Sequence, residues 1–294
     1  MMPVAASEDV TLFCPKDGKF SFFNSPYPAH HLFTGIDVYP KCGFGEIAPS
    51  PVRGRVIEIR RIRCPKGRSF QDSGFDSVIL LQSLENPERI IKILHTDSIV
   101  KCGEVVETGD ALGCLLRSGY FSFWTEPHLH VEVRKPSDPL RARGGFPFHR
   151  LMGVDEIVPV EELKGRVTKS RPEYTIIALK RECSQGLPAD IRGERGLLDG
   201  GIPHYRWIGV HMKSVSSRSG VVKLCGKPIA IIKAVYSNMC LAECTGLNPK
   251  VGGVSVGLSL YLFPNTSKLE VKLVPHEMGT LKLEESEEIS LDIG

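Results

Sequence analysis

Hydrophobic and polar residues alternate with a period of two along most of the chain. Stretches rich in β-branched residues and bounded by Gly, Pro, Asn or Asp recur from one end to the other, and this pattern is typical of short, half-buried β-strands. Helix signals are few, and the best of them, Val160–Leu163 before Gly165, covers about one turn. The sequence therefore predicts an all-β protein. The predicted strands are Val52–Ile59, Ser77–Leu84, Arg89–Leu94, Leu129–Val133, Tyr174–Leu179, Tyr205–Met212, Pro228–Val235, Val254–Phe263 and Leu269–Val274.

The alternating pattern is interrupted once in the middle of the chain. Between Lys135 and Pro172, prolines and glycines break any continuous strand. A chain of 294 residues is also long enough for two domains of ordinary size. We therefore expect an N-terminal β-sheet domain over residues 1–165 and a C-terminal β sandwich or barrel over residues 166–294.

Composition and charge exclude some classes of partner. The chain has 37 Lys and Arg against 34 Asp and Glu, and a net charge of +3 gives no reason to expect a nucleic-acid partner. Its apolar runs are far shorter than the roughly 20 residues of a membrane-spanning helix, so no membrane span is predicted. Glu8 and Asp9 stand where a secretory signal would have its apolar core. The sequence as given predicts a cytoplasmic protein, or one whose signal has been removed.

Candidate chemistry begins with the segment EPHLHVEVR, residues 126–134. On a strand, its aliphatic residues would face the core, and His128, His130, Glu132 and Arg134 would share the opposite face. This spacing suits one histidine on a metal ion and its neighbour on a substrate beside the ion. The alternative is a solvated strand face that carries two exposed histidines.

A second group of candidate ligands lies upstream, in the segment HHLFTGID. His31 and Asp37 flank a glycine turn, and zinc accepts imidazole nitrogen and carboxylate oxygen as ligands. Three protein ligands would leave one position open, which is the arrangement of catalytic rather than structural zinc sites. His30 is a rival to His31, and His95, at the end of a predicted strand, could supply a further histidine.

The order of these motifs resembles a known family. HHLFTGID is followed by a strand-end histidine, then by VxxGExVxxGDxLGxLxxSG, and then by PHLHVEVR. This series is similar to the lysostaphin-type, or LytM-type, zinc metallopeptidases over roughly residues 25–142. Members of that family cleave short peptide bridges in bacterial cell walls. Their compact β scaffold, a duplicated-hybrid-motif sheet, is related to the biotinyl-lipoyl carrier modules.

The resemblance implies a cofactor and a set of roles. It makes His31, Asp37 and His130 the zinc ligands, and it makes His95 and His128 the catalytic histidines. Zinc polarises a carbonyl and acidifies water, while imidazoles transfer protons or stabilise an oxyanion. The implied function is zinc-dependent hydrolysis of an amide bond in a peptide substrate. Bulky aromatic residues just before the HLH motif predict an apolar wall beside any groove; they are Tyr120, Phe121, Phe123 and Trp124.

Other functions receive less support from the sequence. Ser255 lies in a G-x-S-x-G match, but the alternation continues past it as a strand, whereas a nucleophile elbow needs a turn into a helix. A non-catalytic binding or scaffold module on the biotinyl-lipoyl-related sheet remains the main alternative, although the glycine turn at Gly109 carries no lysine for modification. His204 and His211 have no acidic or cysteine neighbour in a ligand pattern, which favours a structural role for both.

Overall fold

Strands make up both halves of the chain in a computed structural model that describes residues 1–154, 157–182, 185–216, 218–265 and 268–294. Every strand predicted from the alternation is present, with ends that differ by a few residues. The all-β prediction is confirmed. Within the described ranges the only helix is α1, which has a single turn, Pro28–His31.

The first half of the chain holds the strands that carry the candidate site. They are β1 Met2–Ser7, β2 Val10–Cys14, β3 Lys19–Ser21, β4 Ile36–Tyr39, β5 Ile47–Pro49, β6 Gly54–Ile62, β7 Asp76–Ser83, β8 Ile90–Leu94, β9 Thr96–Ser98, β10 Val105–Val106, β11 Ala111–Leu115, β12 Leu129–Arg134 and β13 His149–Arg150.

The main sheet of this half has the strand order β10-β6-β7-β8-β12-β4-β3. Strands β8 and β12 are inside this sheet, and all of their residues are buried. Ile79, Ile93 and Val131 have no solvent exposure. Val78, Leu80, Ile90 and Leu94 form an apolar cluster between β7 and β8. Because β12 is buried along its whole length, its polar residues lie inside the protein rather than on a solvated face.

The second half is built from a further series of strands. They are β14 Leu163–Ser170, β15 Thr175–Glu182, β16 Leu187–Ile191, β17 Glu194–Ile202, β18 Trp207–Met212, β19 Val221–Leu224, β20 Lys227–Tyr236, β21 Met239–Cys244, β22 Lys250–Val251, β23 Val254–Leu260, β24 Lys268–Pro275 and β25 Glu288–Asp292.

The sheet of this half closes on itself, as expected for a barrel. One ring of pairings runs β16-β19-β20-β21-β18-β17 and returns to β16. A second ring runs β23-β22-β25-β14-β15-β24 and returns to β23, and β17 pairs with β23. Closure gives each strand of a ring a hydrogen-bonded neighbour on both sides, which removes the exposed edges of an open sheet.

The two compact units of the structure are Met1–Phe20 with Tyr27–Met152, and Ser21–Pro26 with Gly153–Gly294. The expected boundary at residue 165 falls inside β14, whose partners β15 and β25 are strands of the second unit. The helical turn predicted at Val160–Leu163 is wrong. Leu163, Gly165 and Val167 are buried and alternate with exposed residues, so the strand period continues where a turn of helix was expected.

The helical content can also be compared with the length needed to span a membrane. Across the ranges that the structure describes, no helix combines the length and apolar character needed to cross a bilayer.

Candidate metal centre

Asp37 and His130 meet because β4 and β12 are adjacent and antiparallel. The register places these two residues directly opposite each other. Directly opposed side chains on one sheet face are separated by only about 4.5–5.5 Å at Cβ. The His130 Nδ1 atom lies 2.8 Å from the Asp37 Oδ1 atom, and both residues are buried. Strand pairing alone therefore brings together one imidazole and one carboxylate.

His30 reaches the same point from the helical turn α1. Pro28 lies within the first turn of this helix, where a proline has the right φ and no required N–H. Phe33, at φ +62°, then turns the chain back toward β4. The His30 Nε2 atom lies 3.2 Å from His130 Nδ1 and 3.3 Å from Asp37 Oδ1. His30 is completely buried.

Gly35 is required where the chain passes from this turn into β4. A Cβ atom at residue 35 would lie 2.7 Å from Cε1 of His130 and 2.9 Å from Cβ of Ala29. Real Cβ atoms do not approach other carbons so closely, so any larger residue would displace the imidazole ring. The glycine of the GID motif thus has a packing role beside the site.

The site holds a carboxylate in its ionised form. Burial alone would raise the pKa of Asp37, but the charges of His30 and His128, with hydrogen bonds from His130 and His30, lower that pKa well below its usual range. Within the described residues, His30, Asp37 and His130 form a group whose ligand atoms all lie within 4.8 Å of one another. The group offers two nitrogens and one oxygen, which is a donor set that zinc accepts.

Glu132 fixes the orientation of His130 from the other side of the ring. Its Oε1 atom lies 3.2 Å from His130 Nε2 and 2.8 Å from the Nζ atom of Lys92, which is the cross-strand partner of Glu132 on β8. Its Oε2 atom accepts a hydrogen bond from Arg134 at 2.9 Å. Burial would raise the pKa of Glu132, but the hydrogen bond and charge of His130, together with Lys92, lower it to about 2.

An ionised carboxylate only accepts hydrogen bonds. Glu132 can therefore only accept a hydrogen bond from Nε2–H of His130. With an ion bound, that tautomer would present the Nδ1 lone pair of His130 as a ligand beside Asp37 and His30. A carboxylate behind a ligating histidine is the usual second contact in protein metal sites, where it sets the tautomer of the ring.

His128 lies beside this group, immediately before β12. Its Nδ1 atom is 2.8 Å from the backbone oxygen of Glu126, and its Nε2 atom is 3.8 Å from Asp37 Oδ2. The ring stacks on Phe121 with centroids 4.9 Å apart and an interplanar angle of 29°, and it contacts Tyr39 at 5.0 Å. Burial lowers the pKa of His128 to about 4, even though the charge of Asp37 acts in the opposite direction.

His95 approaches from a third direction, directly after β8. Its ring centroid is 5.1 Å from that of His128 and 6.4 Å from that of His130. Phe121 packs edge-on against it at 4.6 Å. The Nδ1 atom of His95 lies 2.8 Å from Oδ2 of Asp76, a buried carboxylate at the start of β7.

The structure brings together four of the five predicted site residues. Asp37 and His130 are within one group of possible ligands, and His95 and His128 lie beside it. The fifth, His31, is outside that group among the described residues, and His30, its rival in the sequence, occupies the place expected for it. Burial and His30 lower the pKa of His31, which is adjacent along the chain.

Sequence reasoning missed the polar residues that support the histidines. Asp76 and Lys92 gave no signal, because their partners are distant along the chain. Glu132 was placed on the correct strand face, but its partners were not foreseen. The expected alternative, a solvated face with exposed histidines, is wrong, since His128 is 6% exposed and His130 is 2% exposed.

Comparisons with known proteins add a family match for the N-terminal half. Residues 11–150 match the family described as "Domain of unknown function (DUF8155) N-terminal domain". A search of the curated proteins gives no match. Among solved structures, the NMR solution structure of lysostaphin is 13% identical, with 92% of each chain covered and a TM-score of 0.30. That TM-score is too low to assign a shared fold.

Proposed function

We propose that the N-terminal unit is a zinc-dependent hydrolase that cleaves an amide bond in a peptide. The observation that carries the proposal is the convergence of five polar side chains from four places in the chain: α1, β4, the end of β8 and β12. Three of them, His30, Asp37 and His130, form the possible metal group, and two further histidines lie against it. The motif resemblance to lysostaphin-type metallopeptidases points to the same reaction class.

The three residues fit a zinc ion by their separations as well as by their chemistry. Tetrahedral ligands at about 2.0–2.2 Å from one ion lie about 3.3–3.6 Å from one another. His30 Nε2 is already 3.3 Å from Asp37 Oδ1 and 3.2 Å from His130 Nδ1, and the third separation is 2.8 Å. Only small outward shifts are needed. When bound, zinc would polarise the scissile carbonyl and acidify water, as in other catalytic zinc sites.

His95 and His128 supply the proton transfer. Each has its Nδ1 atom beside an oxygen acceptor, Asp76 for His95 and the Glu126 carbonyl for His128. With Nδ1–H donated to that oxygen, a neutral ring has its lone pair on Nε2. Each can then accept a proton at Nε2 from the water that attacks the carbonyl, which is general base catalysis. Each can also return a proton to the departing amine, which is general acid catalysis.

The surroundings favour an extended peptide as substrate. Phe121 covers one side of both histidines, and Tyr120 beside it is 58% exposed. The Arg117 guanidinium lies over the ring of Phe44, which in turn is near Phe121. Flat aromatic surfaces beside a row of polar groups can bind a chain through apolar contacts while the reacting amide lies over the histidines.

The test is cleavage of a peptide library by zinc-loaded protein. Glycine-rich peptides and peptides with D-amino acids should be screened first, and products identified by mass spectrometry. The His128→Ala variant should bind zinc as the wild type does and lose about 10²–10⁴-fold in rate, the usual contribution of a general acid or base. The exposed His276→Ala variant is the control. Zinc binding without cleavage of any peptide would favour the non-catalytic binding module.

A further inference from the structure

The carboxylate of Asp76 is surrounded by hydrogen-bond donors. Its Oδ1 atom accepts the backbone N–H of Ser77 at 2.7 Å and the backbone N–H of His95 at 3.2 Å. Its Oδ2 atom lies 2.8 Å from His95 Nδ1 and accepts the hydroxyl of Ser118 at 2.6 Å. Asp76 is 1% exposed. One side chain thus holds both the main chain and the ring of His95.

The backbone of His95 needs such support. Its φ is +71°, in the left-handed region that residues other than glycine rarely adopt. The backbone N–H of Leu116 donates to the His95 carbonyl at 2.9 Å, and the Ser77 carbonyl lies 3.3 Å from the His95 nitrogen. These contacts leave the ring between Phe121 and His128, with 12% of the side chain exposed.

The proton between Asp76 and His95 has a defined position. Burial would raise the pKa of Asp76, but the charge of His95 and the hydrogen bonds from His95 and Ser118 lower it to about 2. The carboxylate is ionised at neutral pH and offers no proton of its own. The hydrogen bond at 2.8 Å therefore requires a proton on His95 Nδ1.

We propose that Asp76 is a positioning residue that holds His95 in the Nδ1–H tautomer, with the lone pair on Nε2. The catalytic use of that lone pair rests on the proposed hydrolase function, whereas the tautomer itself does not. In a Ser–His–Asp triad, a carboxylate in this position sets the ring for proton transfer, and its replacement by Asn lowers kcat about 10⁴-fold through the wrong tautomer. Asp76 would act on His95 in the same way.

The Asp76→Asn variant reverses the hydrogen bond without changing the shape of the side chain. Two backbone N–H groups, of Ser77 and His95, face the Oδ1 position, so the amide oxygen of the variant must lie there. The amide NH₂ group then takes the place of Oδ2 and donates to Nδ1 of His95. Because a ring nitrogen that accepts a hydrogen bond cannot also carry a proton, His95 should change to the Nε2–H tautomer.

Nitrogen-15 NMR of the histidine rings measures this change directly. The His95 signals are assigned by their loss in the His95→Gln variant. At a pH where the ring is neutral, the wild type should show a protonated Nδ1 and an unprotonated Nε2, and Asp76→Asn should show the reverse. The matched control is Asp97→Asn, two residues from His95, where the carboxylate is partly exposed and pairs with Arg61 at 3.0 Å. That variant should keep the wild-type tautomer.

The outcomes separate this proposal from the proposed function. A wild-type His95 with its proton on Nε2, or an Asp76→Asn variant that keeps the proton on Nδ1, would overturn the role of Asp76. If Asp76→Asn does not fold, the wild-type spectrum alone decides. Zinc content should be unchanged in Asp76→Asn, and cleavage of any peptide found should fall by about 10²–10⁴-fold. A protein that cleaves nothing removes the hydrolase but leaves the tautomer result standing.

Discussion

Each half of the chain contains a buried histidine–aspartate pair. In the N-terminal half, His130 Nδ1 lies 2.8 Å from Asp37. In the C-terminal half, His211 Nε2 lies 3.1 Å from Asp199. All four residues are buried. By distance and burial alone, the two pairs are nearly equivalent.

The surroundings of the two pairs differ. Asp199 accepts the hydroxyl of Ser21 and the backbone N–H of Phe22 in addition to His211, and aromatic rings contact the histidine. Within the described part of the chain, the donors to Asp199 are thus a serine hydroxyl, a backbone N–H and one imidazole, with no second histidine among them. Asp37 instead has a second histidine, His30, within 3.3 Å. A buried histidine–aspartate pair is therefore no sign of chemistry, whereas the convergence of several ligand atoms is.

The strongest test of this contrast makes the same substitution, Asp to Asn, in each of the two pairs. Asp37→Asn should remove most zinc binding, because it removes one of only three protein ligands. Asp199→Asn should keep zinc but lower the free energy of unfolding by about 1–3 kcal/mol, since a buried donor loses its acceptor. Elemental analysis and urea unfolding of both variants check the two effects. Zinc retained by Asp37→Asn would contradict the assignment.

A second comparison separates neighbouring histidines within the N-terminal half. His30→Ala should weaken zinc binding by more than the roughly 10–100-fold that loss of a residue supporting a ligand costs, because the ion itself would keep only two protein ligands. His31→Ala should bind zinc within a few-fold of the wild type, since His31 lies outside the ligand group. Competition with a chelator of known affinity gives both constants. The reverse order would return the ligand assignment to His31.

Gly35 allows a weaker disturbance of the same centre. In Gly35→Ala, the new methyl group would meet the His130 ring at 2.7 Å and shift it. We expect about 10-fold weaker zinc binding, comparable to the loss of a residue that orients a ligand. Gly43→Ala is the control, because a Cβ atom there meets its nearest neighbour at an ordinary 3.4 Å. Equal zinc affinities in both variants would show that the ring has room to move.

The last comparison concerns His204, a histidine of the C-terminal half. Burial, aided by the charge of Lys272, lowers the pKa of His204 from 6.5 to about 3. Between these pH values the unfolded chain binds a proton that the folded protein does not, so stability falls as the pH drops from 6.5 toward 3. His204→Gln should reduce the difference in unfolding free energy between pH 7 and pH 4.5. An unchanged difference in His204→Gln would contradict a neutral, buried His204 in the folded protein.

The fold was predictable because strand alternation is a local property of the sequence. Each predicted strand is present, and the placement of His130 and Glu132 on one face follows from the period of two. The prediction of a helical turn at Val160–Leu163 was wrong because four residues are too few to distinguish the helical period from the strand period. The strand alternation in fact begins at Leu163.

The candidate centre was only partly predictable because some of its contacts depend on the tertiary structure. The choice of His30 over His31 follows from a single turn of helix and from the left-handed backbone at Phe33, neither of which the motif specifies. Asp76 lies 19 residues before His95 and reaches it only because β7 and β8 pair. Lys92 meets Glu132 through the register of β8 and β12.

The zinc content of the purified wild-type protein tests the central claim most directly. The protein should be purified without added chelator and its metals measured by elemental analysis, before and after dialysis against zinc. We predict one zinc ion per chain in the wild type, and none in the double variant His30→Ala with His130→Ala. A folded wild-type protein that takes up no zinc, or equal zinc in the double variant, would contradict a metal centre at His30, Asp37 and His130.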